Sequence, residues 1–257
     1  MFVDSHCHLD FDCFGGDIES LLEELQQKSI RKIIIPATQA CRWEAIEKLA
    51  SQYSSLYYAL GIHPHFLDSF QEQDLTLLKE KLLVADNHCV ALGEIGLDKY
   101  AQANQAQQEF VFIAQLDIAQ QLELPIILHC VKQQGRVLAL LKQQKFTQGG
   151  VYHAFSGSKE VADEFIKLGF KLGVGGVITY PNSTKIKQTF TNLPIESLLL
   201  ETDAPDMPIY QQQVKHNSPL NLIVIFNCLA ELRHESKAQL AAQLYNNAHN
   251  IFPLSND

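Results

Sequence analysis

The sequence predicts a single (β/α)8 barrel of the TIM type, and three observations support this prediction. A length of 257 residues suits one large α/β barrel. Short apolar runs alternate with amphipathic stretches in strict β-then-α order, which is typical of a parallel sheet covered by helices. Histidines and carboxylates follow the ends of most apolar runs, where barrels of this type place their active sites. We therefore expect one domain over residues 1–257.

Eight short runs are rich in apolar or β-branched residues. Near-continuous apolar runs are typical of parallel strands that are buried on both faces. The predicted strands cover residues 1–5, 32–37, 56–62, 89–94, 125–128, 150–153, 170–177 and 197–202.

Amphipathic segments separate these runs and predict the helices. In residues 105–124, Phe112, Leu116 and Ala119 recur at helical spacing, and Pro125 ends the segment. Further helices are predicted at residues 18–27, 42–51, 74–83, 135–143, 159–167, 219–233 and 236–247. No linker, repeat or low-complexity tract divides the chain, so a second domain is not expected.

Composition excludes several classes of protein. The longest apolar stretch, residues 220–232, contains Asn221 and Asn227 and is shorter than the roughly 20 residues that cross a bilayer. The first residues lack the basic stretch and apolar run of an export signal. The six cysteines form no Cys-x-x-Cys pair, which favours a reducing compartment. We expect a cytoplasmic protein with no membrane contact and no obligate protein partner.

The net charge of −9 argues against binding of long nucleic acid through a broad basic face. Such binding depends on Lys and Arg side chains that neutralise many phosphates. A phosphate-bearing substrate would therefore need cations that are concentrated at the site itself.

Metal-ligating residue types end six of the eight predicted strands. In chain order they are His6 and His8, His63 and His65, Glu94, His129, His153 and Asp203. Because the carboxyl ends of barrel strands converge on one face, these side chains are expected to meet there. The sequence therefore predicts a site built from distant parts of the chain.

Local spacing supports a metal at this site. His6 and His8 are two residues apart, so both imidazoles point to the same side of an extended segment, as a metal requires. Glu94 directly follows a buried run, so its carboxylate must bind a cation or pair with a surface Lys or Arg. Glu201 and Asp203 share one side of the last strand. Asp203 is predicted as a ligand and proton acceptor, and Glu201 as a supporting group, a buried ion-pair member or a structural residue.

Five motifs in order resemble the TatD-type metal-dependent deoxyribonucleases, and the resemblance runs nearly end to end. It is closest to the branch of that family described only as metal-dependent hydrolases. The motifs are Asp4-Ser5-His6-Cys7-His8-Leu9-Asp10, Gly61-Ile62-His63-Pro64-His65, Gly93-Glu94-Ile95-Gly96-Leu97-Asp98, His153-Ala154-Phe155-Ser156-Gly157 and Glu201-Thr202-Asp203-Ala204-Pro205.

The resemblance implies an amidohydrolase-like barrel with two divalent ions. The first ion would be held by His6, His8, Glu94 and Asp203, and the second by Glu94, His129 and His153. Glu94 would bridge the ions, and Asp203 would accept the proton of the attacking water. His63, and with it His65, would contact a phosphate oxygen of the substrate; the alternative is that Pro64 fixes a turn and both imidazoles face solvent.

The chain departs from the family pattern at positions that bear on the substrate. Where many relatives carry an arginine two residues after the fifth-strand histidine, this chain has Val131, followed by Lys132. The usual Arg-Asn-Glu-Pro stretch is replaced by Lys215-His216-Asn217-Ser218-Pro219, and Lys99-Tyr100 displaces an aromatic residue after Asp98. Lys132 and Lys215 are the candidate cations for a phosphate.

Three functions follow as hypotheses. The first is a metal-dependent phosphodiesterase that acts on DNA ends or short single-stranded DNA. The second is an amidohydrolase or lactonase that opens a cyclic amide or ester; such enzymes often bridge their metals with a modified lysine on the fourth strand, and residues 86–97 contain none. The third is a non-catalytic scaffold that keeps metal for stability. Imidazole and carboxylate ligands suit Zn, Mn or Ni, whereas the resemblance suggests Mg, so the metal is left open.

Overall fold

A computed structural model shows a barrel of eight parallel strands, and it describes residues 1–212 and 215–255. Each strand is hydrogen-bonded to the next in chain order, and helices lie between consecutive strands. The predicted fold class is thus confirmed. The strands are β1 (Phe2–Asp4), β2 (Ile30–Pro36), β3 (Leu56–Leu60), β4 (Cys89–Asp98), β5 (Ile126–Val131), β6 (Gly150–Tyr152), β7 (Phe170–Val174) and β8 (Leu198–Leu200).

The barrel closes between β1 and β8 through single hydrogen bonds rather than a regular ladder. The backbone N–H and the hydroxyl of Ser5 both donate to the carbonyl of Leu200, at 3.0 and 2.9 Å. Beyond the strand ends, the N–H of Asp203 donates to His6 O and that of His8 donates to Ala204 O, each at 2.8 Å. The segments that carry the first and last predicted ligands are therefore joined directly.

Nine α-helices lie in the described residues, and eight of them were predicted. They are α1 (Ile18–Gln27), α2 (Trp43–Gln52), α3 (Glu72–Val84), α4 (Gln105–Gln121), α5 (Gln134–Gln143), α6 (Lys159–Lys167), α7 (Thr184–Asn192), α8 (Leu222–Leu232) and α9 (Lys237–Ile251). The missing prediction is α7. Its polar, threonine-rich sequence buries mainly Ile186 and Phe190, so the apolar pattern is too sparse to stand out.

The strand boundaries differ from the prediction mainly at β4. This strand continues four residues beyond Glu94, to Asp98, because it keeps its parallel register with β5 as far as the pair Asp98 and Val131. Near the end of this pairing, a side chain at Gly96 would place its Cβ 1.8 Å from the carbonyl oxygen of His129, so only glycine permits the close approach. The longer β4 carries a second carboxylate to the mouth of the barrel.

Two sets of buried side chains make up the core. The larger set lies mainly between the strands and the surrounding helices, and the smaller set joins strand residues such as Ile34 and Ile127 to Phe252 after α9. The Asn247 amide of α9 donates to the carbonyls of Ile195 and Leu198, which ties this helix to the start of β8. No helix within the described residues is long and apolar enough to span a membrane.

Candidate metal centre

A cleft of about 320 Å³ opens at the carboxyl ends of the strands. The eight strand-end residues that we predicted lie at or near this cleft, and all but His6 are among the residues that line it. His6 lies beneath, fully buried, within 3.4 Å of Glu94 and Asp203. The lining residues are His8, Phe11, Thr38, His63, His65, Phe66, Glu94, His129, His153, Asp203 and Asp206.

The first metal group consists of His6, His8, Asp203 and one carboxylate oxygen of Glu94. His6 Nε2 lies 3.2 Å from His8 Nε2, 3.2 Å from Glu94 Oε2 and 3.4 Å from Asp203 Oδ1. His8 Nε2 lies 3.7 and 3.6 Å from the same two oxygens. Four donor atoms from β4 and from the segments after β1 and β8 therefore point at one another.

The second metal group consists of His129, His153 and the other carboxylate oxygen of Glu94. Glu94 Oε1 lies 2.9 Å from His129 Nδ1 and 3.0 Å from His153 Nε2, and the two nitrogens are 3.2 Å apart. Glu94 thus turns one oxygen to each group. This is the arrangement that a bridging carboxylate requires.

The donor sets fit divalent cations. A tetrahedral ion with ligand bonds of about 2.1 Å has neighbouring ligands about 3.4 Å apart, and the contacts in both groups scatter around that separation. Without a cation, the Nε2 atoms of His6 and His8 would share one hydrogen bond. The carboxylates of Glu94 and Asp203 would then compete for the same imidazole protons. An ion in each group would satisfy all of these lone pairs at once.

Hydrogen bonds behind the ligands orient the imidazoles. His8 Nδ1 lies 3.2 Å from the carbonyl oxygen of Pro36, so Nδ1–H donates there and Nε2 keeps its lone pair for the cleft. His129 is turned the other way, because its Nε2–H donates to Asp98 Oδ2 at 2.8 Å and its Nδ1 faces Glu94. Each ring therefore presents an unprotonated nitrogen to its group.

Glu201 lies close to His153. Its Oε1 accepts a 2.5 Å hydrogen bond from Ala154 N–H and lies 3.7 Å from His153 Nδ1, and its side chain is fully buried. Gly173 on β7 makes room for it, since a Cβ there would lie 2.0 Å from Glu201 Oε2. Glu201 makes no hydrogen bond to His153 at this distance, so a supporting role for it stays a prediction.

The chain after β8 holds Asp203 in an uncommon backbone conformation. Asp203 has a φ of 54°, in the left-handed region, and such conformations concentrate at functional sites. Its neighbours are tied by Asn217, whose amide donates to the carbonyls of Thr202 and Met207 at 2.8 and 3.1 Å. Asn217 is buried, so this divergent stretch of sequence keeps a structural asparagine that supports the ligand loop.

The charges of the two carboxylates follow from their surroundings. Burial opposes ionisation of Glu94, but the imidazoles of His153 and His6 hold the pKa of this carboxyl well below its ordinary value. The pKa of Asp203 is lowered in the same way, with burial opposed by His153 and His8. Both groups are therefore anionic at neutral pH, as ligands for a cation must be.

His63 is placed to donate a hydrogen bond into the cleft. Its Nδ1 accepts the backbone N–H of His65 at 3.1 Å, and burial lowers the pKa of the ring to about 4. The neutral ring therefore carries its proton on Nε2, which lies 3.5 Å from Glu94 Oε1. A nitrogen that bears a proton cannot ligate a metal, so this geometry suits contact with a substrate oxygen.

The remaining substrate candidates lie farther out. His65 is partly exposed, and its Nε2 is engaged by Asp98 Oδ2 at 2.8 Å. Lys132 and Lys215 are exposed, and neither belongs to the residues that line the cleft. Their contact with a substrate stays a prediction.

Sequence reasoning missed the role of Asp98. This carboxylate accepts hydrogen bonds from His129 and from His65, both at 2.8 Å, and from the backbone N–H of Tyr100 at 2.7 Å. Although burial opposes it, these bonds hold the pKa of Asp98 below its ordinary value. The signal was its even spacing from Glu94, which predicts that both carboxylates share one face of an extended strand.

Comparison with known proteins gives a consistent result. A family model described as TatD related DNase matches residues 3–253. The chain is 41% identical over 252 residues to an uncharacterised metal-dependent hydrolase, YjjV, of Escherichia coli strain K12, covering 98% of this chain and 97% of that one. It is 30% identical over 249 residues to a 3'-5' ssDNA/RNA exonuclease, TatD, of Shigella flexneri, covering 94% and 95%.

Solved structures show the same likeness. The crystal structure of the TatD homologue YjjV from Escherichia coli matches with a TM-score of 0.95 and 40% identity, over 99% of this chain and 98% of that one. An uncharacterised amidohydrolase from Saccharomyces cerevisiae matches with a TM-score of 0.85 at 18% identity, over 98% and 99%. At that identity the second likeness concerns the fold alone.

Proposed function

The chain belongs to the TatD-related DNase family of metal-dependent hydrolases, and we propose that it is a phosphodiesterase that uses two divalent ions to act on DNA ends or short single-stranded DNA. The observation that carries this proposal is the position of Glu94, whose two oxygens face two separate groups of donors. The name of the Shigella relative, a 3'-5' ssDNA/RNA exonuclease, supports this substrate class.

Two adjacent ions suit a phosphodiester, because they lower the pKa of a bound water and stabilise charge on the attacking and leaving oxygens. His6, His8 and Asp203 would hold the first ion, His129 and His153 the second, and Glu94 both. Asp203 is the proton acceptor in this proposal, since it lies at the cleft surface and is ionised.

Other residues of the chain orient the substrate and the metal ligands. His63 donates through Nε2–H to a non-bridging phosphate oxygen, and Asp98 and Glu201 keep His129 and His153 in the orientation that binding requires. Phe11 and Phe66 line the cleft. The ligand set suits Zn, Mn or Ni through its imidazoles and Mg through its carboxylates, so the metal must be measured.

The test starts from protein that is stripped of metal and then restored with Mg, Mn, Zn or Ni, with elemental analysis of each preparation. Rates are measured on single-stranded DNA, duplex DNA, RNA, bis(p-nitrophenyl) phosphate and a cyclic amide or lactone. We expect cleavage of single-stranded DNA only when metal is restored. Intact DNA under every metal, together with turnover of the cyclic substrate, would identify an amidohydrolase or lactonase instead.

Asp203→Asn separates an enzyme from a metal-stabilised scaffold. The amide keeps nearly the same shape but cannot accept the proton, so we expect a folded protein with most turnover lost. A rate equal to that of the unaltered protein would contradict the role given to Asp203.

A further inference from the structure

Charge is distributed unequally around the mouth of the barrel. The connections that follow β4, β5, β6 and β7 contain Lys99 and Lys132 but no carboxylate. On the other side, the connection after β1 contains Asp10, which is paired with Arg42, together with Asp12 and Asp17, and the connection after β8 contains Asp206 beside the cleft and one lysine, Lys215. A polyanion that reaches the cleft therefore meets repulsion on one side and attraction on the other.

The two lysines are neighbours at the ends of β4 and β5. The backbone N–H of Lys99 donates to Val131 O at 3.1 Å, one residue beyond the register pair Asp98 and Val131, and Lys132 follows directly. Both side chains are exposed, and within residues 1–212 and 215–255 neither has an ion-pair partner. Nearby Arg136, by contrast, is bound by Glu109 at 2.5 and 2.7 Å.

An exposed aromatic side chain lies next to this pair. Tyr100 is 67% exposed, although large aromatic side chains are usually at least partly buried. Lysines beside an exposed ring are the combination by which proteins hold single-stranded nucleic acid, with cations on the phosphates and a base on the ring.

The segment is fixed relative to the metal centre. Asp98 holds Tyr100 N–H with Oδ1 at 2.7 Å and His129 with Oδ2 at 2.8 Å, so one carboxylate joins the aromatic residue to a proposed metal ligand. The side-chain amide of Gln108 donates to the carbonyls of Asp98 and Ala103 at 3.1 and 2.8 Å. The segment 98–103 is therefore held at both ends.

We propose that Lys99, Tyr100 and Lys132 form a docking site for a single-stranded DNA segment next to the scissile phosphate. The proposal rests on the proposed function and deepens it, because it names the part of the substrate that lies outside the cleft. The lysines neutralise two phosphates, and a base stacks on Tyr100. A duplex cannot use the site in this way, since its bases are already stacked on one another.

The experiment measures binding apart from cleavage. Metal-stripped protein is titrated into a fluorescein-labelled oligothymidylate, and anisotropy is followed over a range of salt concentrations. We expect Tyr100→Leu to weaken binding about 5- to 100-fold, the effect of losing one stacked base. The double variant K99Q/K132Q should lower the slope of log affinity against log salt by about 1.4, because each phosphate contact on a single strand contributes about 0.7.

Two matched controls test the position of the site. Tyr210→Leu removes an aromatic side chain of comparable exposure, 42%, from the connection after β8 across the mouth. Lys145→Gln removes an exposed lysine from the segment before β6, at the other end of the barrel. Both should bind the oligonucleotide as the unaltered protein does.

Turnover with metal restored completes the test. In both Y100L and K99Q/K132Q, the KM for the oligonucleotide should rise. In Y100L, which leaves every candidate phosphate contact in place, kcat/KM for bis(p-nitrophenyl) phosphate should stay constant. Unchanged oligonucleotide binding in both variants, or equal weakening by Y210L, would overturn the docking site even if DNA is cleaved. Binding that depends on these residues in a protein that cleaves no DNA would instead support the docking site and contradict the proposed function.

Discussion

The two metal groups are built from similar donors but are supported differently. In the first group, main-chain atoms position most of the ligands: Pro36 O orients His8, and the backbone N–H of Asp203 donates a hydrogen bond to His6 O. In the second group, the side-chain carboxylate of Asp98 orients His129 at 2.8 Å, and the carboxylate of Glu201 lies 3.7 Å from His153 without a hydrogen bond. Main-chain support is independent of residue type, whereas carboxylate support can be removed by one substitution.

The pKa shifts of the histidines do not divide between the two groups in the same way. In the first group, burial and His153 lower the pKa of His6, whereas the pKa of His8 is raised because Asp203 and Glu94 outweigh its burial. In the second group, burial also acts to lower the pKa, but it is outweighed by Asp98 and Glu94 at His129 and by Glu94 and Asp203 at His153, so the pKa of each ring is raised.

The largest effect is expected from a substitution that alters both metal groups at once. Glu94→Gln removes the charge that the two groups share, and we expect loss of both ions and a fall in hydrolysis of about 10³-fold, equivalent to several kcal/mol of transition-state stabilisation. Elemental analysis and the rate on the best substrate measure the two effects. Full retention of one ion would show that the groups are independent, contrary to the bridge.

A second test separates the groups. Asp98→Asn weakens the hydrogen bond that orients His129, so we expect an affinity about 10- to 100-fold lower at one of two metal sites, the usual cost of losing such a partner. Competition with a chelator would resolve the two affinities. Equal weakening of both sites would contradict the assignment of Asp98 to the second group.

A smaller effect should follow from crowding Glu201. Gly173→Ala places a methyl group against this carboxylate, so His153 loses part of its support and the second ion should bind about tenfold more weakly. Gly135→Ala is the matched control, since nothing lies within 4 Å of its Cβ. If both variants bind metal alike, Glu201 has no role in the second group.

The smallest effect is expected from substituting Phe11, a side chain that packs against a histidine of the first group. Phe11 stacks on His8 with ring centroids 4.9 Å apart, and the Arg42 guanidinium lies 5.0 Å from the centroid of the Phe11 ring. Phe11→Leu should lower the affinity of the first group for its ion about 2- to 12-fold, which corresponds to the energy of such a ring contact. A loss as large as that of Asp98→Asn would show that the two groups are supported alike.

The fold and the principal donors could be predicted because both follow local patterns. Apolar runs mark the strands, and His6, Glu94 and His129 stand at their ends, where topology alone brings them together. Asp98 was missed because the predicted strand ended at Glu94, and the true end depends on pairing with β5. The helix α7 was missed because two apolar residues are a weak signal. Which nitrogen of His63 carries the proton depends on a backbone contact that no pattern reveals.

The junction of β1 and β8 also bears on the order in which the protein is synthesised. Ser5 and Leu200, which meet there, are 195 positions apart in the chain. A ribosome that adds about 5–20 residues per second has produced His129 and His153 several seconds before Asp203. The nascent chain can thus gather the imidazoles of the second group early, but the first group waits for almost the whole polypeptide. An ion held by the first group would therefore be bound late in biogenesis.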